Sequence, residues 1–129
     1  MRHGYLGRKL HRPTDERRAL LRNLMGSLIR YERITTTEAR AKELRRHIER
    51  LITTARRGDL HSRRLVLSAL PDPPAAAKLF HVIAPRFKDR PGGYTRLTRV
   101  GFRKGDGATL MQIEFVEGEA EPAPAASGA

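Results

Sequence analysis

The chain has no cysteine and no tryptophan, only 3 Tyr and 4 Phe, and no long apolar run. Without cysteine there is no disulfide scaffold, no thiolate zinc site and no thiol nucleophile, which fits a reducing compartment. No apolar stretch approaches the roughly 20 residues that cross a bilayer, and the opening MRHGYLGRKLHR lacks the apolar core of a signal peptide. An intracellular protein with no membrane partner is expected. Histidine and carboxylate are the remaining metal ligands, but His3, His11, His47, His61 and His81 show no HExxH or HxxxH spacing. No serine lies in a GxSxG elbow and no GxxxxGKS/T loop is present. Gly105-Asp106-Gly107 lacks the third glycine and the following helix of a dinucleotide loop. The expectation is therefore no enzyme, no cofactor, no metal and no small-molecule substrate. The few aromatics, with no basic-aromatic strand of RNP type, also exclude a multi-base stacking platform for free single strands.

What the sequence has is positive charge. The 129 residues fit one domain, and 26 Lys and Arg against 14 Asp and Glu leave a net +12. Of these cations 21 are Arg. Arginine is favoured where planar, bidentate phosphate contacts matter, so the excess points to nucleic acid. Its distribution is uneven: residues 1–64 carry +11, residues 65–113 carry +5 and residues 114–129 carry −4. Residues 1–13 combine Gly4, Gly7 and Pro13 with scattered cations and few apolar groups, which predicts an extended basic arm. Residues 117–129, EGEAEPAPAASGA, read as a disordered acidic Ala/Pro tail. A single domain is expected over residues 14–116.

Within that domain the periodicities define an element order. Thr14 is placed to cap a first helix with Asp15 and Glu16 in its first turn, and Leu20, Leu21, Leu24, Met25, Leu28 and Tyr31 share one side. Ile34-Thr35-Thr36-Thr37 is β-branched and predicts a short strand. Thr35 with Glu38 has capping-box spacing, while Thr36 and Thr37 are equally placed to cap the next helix. Over 38–57, Ala41, Leu44, Ile48, Leu51, Ile52 and Ala55 fall on one arc. Gly58 suits a helix end and Asp59 the cap of a third helix, Leu60–Leu70, whose apolar residues surround it and predict thorough burial. Pro73-Pro74 opens a fourth helix over Ala75–Ala84, ended by Pro85. Tyr94–Arg103 and Leu110–Val116, joined through Gly105-Asp106-Gly107, predict a β-hairpin. The result is a small two-layer α+β domain in the order helix, strand, three helices, hairpin, with about three strands.

Three basic groups are candidates for nucleic-acid contact. In the arm, Arg2, Arg8, Lys9 and Arg12 have no acid among them. On the second helix Arg40, Lys42, Arg45 and Arg46 are interleaved with Glu38, Glu43 and Glu49, so a solvated, ion-paired face competes with binding. The hairpin supplies Arg96, Arg99, Arg103 and Lys104, with Tyr94 available for stacking; charge protecting an edge strand is the plainer reading. Basic groups on different elements suit folded RNA better than a straight duplex. The alternative is a DNA-binding architectural protein using the Arg-rich helix 38–57.

The residues also carry a resemblance. Met1-Arg2-His3 with Gly7-Arg8-Lys9-Leu10, Arg22-Asn23, Arg33-Ile34-Thr35-Thr36-Thr37 running into Arg40-Ala41-Lys42-Glu43-Leu44-Arg45, Gly93-Tyr94-Thr95-Arg96 and Arg103-Lys104-Gly105-Asp106 closely resemble the bacterial large-subunit ribosomal protein seventeen family. The likeness covers roughly residues 1–116. It implies a structural, non-catalytic protein of the large ribosomal subunit, cytoplasmic, bound to large-subunit ribosomal RNA near the peptide exit tunnel, with other ribosomal proteins as neighbours. By the same resemblance His3, His11, Arg22, Arg33, Thr35, Thr36, Thr37 and Thr95 join the expected RNA contacts. The family usually has Asn at the position of His11, and the tail from Glu117 runs past its usual end.

Overall fold

The computed structural model describes Leu10 and residues 13–116. The expected arm and acidic tail lie outside these residues, apart from Leu10 and Pro13. Helix α1 spans Thr14–Tyr31, strand β1 Arg33–Thr37, helix α2 Glu38–Ala55 and helix α3 Leu60–Ala69. Helix α4 runs as Pro73–Lys78, widens to a π-helical turn over Leu79–Ile83 and closes with Ala84–Arg86; strands β2, Thr95–Phe102, and β3, Thr109–Phe115, follow. The α+β order expected from the sequence is the observed one. The three strands form one antiparallel sheet in the order β1-β3-β2, so the last strand lies in the middle.

Several ends follow directly from local chemistry. Asp59 caps α3 by accepting from the Ser62 N–H at 2.7 Å, and Gly58 before it sits at φ 70, a conformation that disfavours a side chain. Pro73 stands in the first turn of α4, where a missing N–H leaves no bond unmade. Other ends differ from expectation. Thr14 does not cap α1: Pro13, extended at ψ 159, is the cap residue, and the helix already includes Thr14. At α2 the cap position falls to Thr37, without a side-chain hydrogen bond, because β1 runs straight into the helix. Pro85 does not stop α4 either. The π-helical turn before it sends the Ala84 N–H back to the Leu79 carbonyl, and the helix closes one residue beyond the proline.

Burial confirms the α2 stripe: Ala41, Leu44, Ile48, Leu51, Ile52 and Ala55 are all buried. They pack with Leu28 and Ile29 of α1, Leu79 and Ile83 of α4, Phe87, Tyr94, and Ile113 and Phe115 of β3. On α1 the buried set is Leu21, Met25, Gly26, Leu28 and Ile29, so Leu20, Leu24 and Tyr31 are only partly covered. Gly26, which periodicity places on the solvent side, is closed over by the loop before α4, with Asp72 Oδ2 3.5 Å from where a Cβ would stand. The expected burial of α3 is overturned. Of its ten residues only Ser62 and Val66 are buried, and Leu60, Leu65 and Leu67 are exposed, because a single narrow side meets α2 and α4.

Candidate nucleic-acid interface

Strand register sorts the basic and polar side chains of the sheet. Arg33 and Arg96 both pair across Glu114, and Thr35 and Thr98 both pair across Gln112, so these two rows share one face. The other face carries Ile34, Leu97 and Ile113 against the helices. The expected residues Arg33, Thr35, Thr37 and Arg96 are thereby gathered on the face away from the core. Arg96 Nε lies 3.9 Å from Glu114 Oε1, a loose and largely exposed pair. Thr36 and Arg99, both paired with Met111, fall on the helix side, where Arg99 is nevertheless exposed beyond the helices.

At the hairpin end, Arg103 and Asp106 are joined by two contacts, with Arg103 Nε donating to Oδ1 at 3.1 Å. The Arg103 bond, aided by the Ala108 N–H, holds the Asp106 carboxyl down at about 2, and Asp106 in turn raises the Arg103 guanidinium. Arg103 therefore shapes the turn. Arg99 and Lys104 make no ion pair among the described residues.

On α2 the acids hold most of the candidate cations. Lys42 Nζ is 2.7 Å from Glu38, Arg45 is 3.9 Å from Glu49 and Arg46 is 3.6 Å from the buried Glu43, which His47 also contacts at 3.2 Å. Arg40 is the one of the four without an ion pair among the described residues. The more exposed pairs, Lys42 with Glu38 and Arg45 with Glu49, contribute about 0.3–0.5 kcal/mol each, weak enough to be exchanged for phosphate. Arg22 is exposed on α1 and lines a groove with Asn23, Ser27, Arg30 and Asp72; Arg30 pairs with Asp72 at 3.6 Å.

Two expected contacts require correction. Tyr94 is 1% exposed, its ring 5.2 Å from that of Phe87 and its hydroxyl bonded to Thr53 Oγ1 at 3.0 Å and Arg56 Nη1 at 2.7 Å. It has no free face for a base: the hairpin begins inside the core, which its position before β2 did not reveal. Thr95 is buried too, with its hydroxyl 3.4 Å from Glu49 Oε1. The exposed aromatic of the hairpin is Phe102, 69% accessible. A register shift between Arg99 and Gly101 precedes it, and the glycine inside the strand was the available signal. Arg2, His3, Arg8, Lys9, His11 and Arg12 lie outside the described residues.

A second feature escaped sequence reasoning altogether. Glu32 follows α1 at φ 65, is 3% exposed, and clasps α4 by accepting from Arg86 while lying 3.3 Å from Lys78 Nζ. Burial pulls its carboxyl up, but the hydrogen bond and charge of Arg86 and the charge of Lys78 outweigh this and hold it below the usual carboxylate range. No group of three or more potential metal ligands occurs among the described residues, and no helix there is long and apolar enough to cross a membrane.

Among the described residues the arrangement is a surface with cations outside any ion pair on several elements. The family model for ribosomal protein L17 matches residues 20–116. The chain belongs to the ribosomal protein L17 family. Among its curated relatives, large ribosomal subunit protein bL17 of Caldanaerobacter subterraneus subsp. tengcongensis is 59% identical over 109 residues, covering 84% of this chain and 97% of that protein. The bL17 protein of Syntrophotalea carbinolica is 51% identical over 122 residues, 95% of this chain and 79% of its own length. That of Sphingopyxis alaskensis is 53% identical over 117 residues, 91% and 84% respectively.

Proposed function

We propose that this L17-family chain is a structural constituent of the large ribosomal subunit that binds and stabilises folded large-subunit ribosomal RNA near the peptide exit tunnel, in the cytoplasm, without catalysing a reaction. Family membership carries the reading, since relatives matched over nearly their whole length are named large-subunit proteins. The charge geometry supports the RNA part. Arg33 and Arg96 on the open sheet face, Arg99 and Lys104 at the hairpin, Arg40 on α2 and Arg22 on α1 present cations from separate elements. Residues 1–13 add Arg2, Arg8, Lys9 and Arg12. Together they suit an irregular, folded polyanion that surrounds the domain, held by its backbone and shape. The competing reading, α2 entering a DNA groove, engages one element and leaves the cations of the sheet face, the hairpin and α1 without counter-charge. Neighbouring large-subunit proteins complete the expected surroundings.

Competition binding tests this directly. The full chain should prefer large-subunit ribosomal RNA to duplex DNA at every salt concentration, with an affinity that falls steeply as salt rises. Equal or tighter binding to duplex DNA would move the assignment to an architectural DNA protein.

A further inference from the structure

We infer that Phe102 is a base-stacking contact, placed at the hairpin end to take one unpaired base of the bound RNA; the inference rests on the ribosomal RNA reading above and names a residue within that site. Phe102 is the most exposed large apolar side chain among the described residues, at 69%. Its cross-strand partner is Thr109, so no apolar neighbour covers it from β3. The register shift between Arg99 and Gly101 changes the alternation of β2. Arg99 pairs with Met111 and Phe102 with Thr109, two residues apart on β3, so the ring and an unpaired guanidinium share one face about 7 Å apart along the strand. Charge selects the occupant. From Arg96 to Asp106 the segment holds four cations and one acid, and that acid is bonded to Arg103. A bare aromatic ring amid uncompensated cations matches a nucleotide, whose base offers a π-face and whose phosphate offers the charge. An apolar protein surface would leave Arg99 and Lys104 without counter-charge.

The absence of tryptophan makes the test direct, because F102W carries the chain's single indole. Full-length wild type, F102A and F102W are titrated with large-subunit ribosomal RNA, and with heparin as a polyanion without bases. Stacking predicts that F102A binds the RNA about 5- to 100-fold more weakly with an unchanged salt slope, since no cation is removed. F102W should bind within a few-fold of wild type, its emission quenched by RNA and not by heparin. A loss below five-fold in F102A, or RNA-bound F102W that is not quenched, overturns stacking and leaves the RNA reading intact. A blue shift appearing only when other large-subunit proteins are added assigns the ring to a protein neighbour and also overturns it. Failure of wild type to bind the RNA at all removes both readings together.

Discussion

Replacing Glu32 by Gln isolates one charge at the junction of α1, α4 and the sheet. The carboxylate accepts from Arg86 and neighbours Lys78, the Glu32 N–H bonds to the Leu28 carbonyl at 2.7 Å, and the Glu32 carbonyl accepts from the Phe115 N–H at 3.3 Å. E32Q keeps the volume and both backbone bonds, so only the charge is lost. Stranding the partner of a buried ion pair costs about 3–5 kcal/mol. Here the side chains of Lys78 and Arg86 remain 22% and 20% exposed and can reach water, which places the expected loss at the lower end, about 3 kcal/mol. Urea unfolding at pH 7 should show this as a lower midpoint with an unchanged m-value. The pH dependence follows from the depressed carboxyl. Because the unfolded chain takes up this proton at higher pH than the folded one, the contribution is complete above the ordinary carboxylate value, about 4.3, and disappears as pH falls through the native value. The gap between wild type and E32Q should therefore close in acid. A gap under about 0.5 kcal/mol at pH 7, near the spread of neutral surface changes, or one that persists undiminished in acid, would refute the clasp.

Y94F should lower stability by about 1–3 kcal/mol in the same assay, because the hydroxyl lost bonds Arg56 and Thr53, while RNA affinity stays unchanged; weakened RNA binding at full stability would restore the surface role. The double variant R33A/R96A should reduce the slope of log affinity against log salt by about 2 at most, and a slope equal to wild type would remove the open sheet face from the interface. Deleting residues 1–13 removes four cations and should reduce that slope by up to about 4, read in the same titration. G58A should cost roughly 1–2 kcal/mol in thermal or urea unfolding through backbone strain alone, since φ is 70 and nothing lies within 4 Å of the added Cβ.

What could be read in advance was local and periodic. The α2 stripe, the β-branched strand, the Asp59 cap and the glycine-rich hairpin turn each depend on residues a few positions apart. The misreadings depend on what covers an element. Apolar residues on all sides of α3, Leu60, Leu65 and Leu67 among them, suggest burial without saying that α2 and α4 reach only one side of it. Periodicity likewise cannot bring Asp72 over Gly26, or Lys78 and Arg86 to Glu32, across separations of 46 and 54 residues. The candidate site divides in the same way. Charge pointed to the basic hairpin and the family resemblance to Arg33, but Tyr94 and Thr95 were expected outside because the sequence does not mark where β2 emerges from the core. The bulge that brings Phe102 onto the same face as Arg99 is visible only as Gly101 until pairing with β3 is known.

The central claim is that this chain is held in the large ribosomal subunit by its RNA. Co-sedimentation of the full-length chain with purified large subunits through a high-salt wash measures that most directly. The account predicts that the protein remains with the large subunit and is absent from the small one, because several separated cationic elements engage a folded RNA at once. Release into the wash, or equal partition between the two subunits, would contradict it.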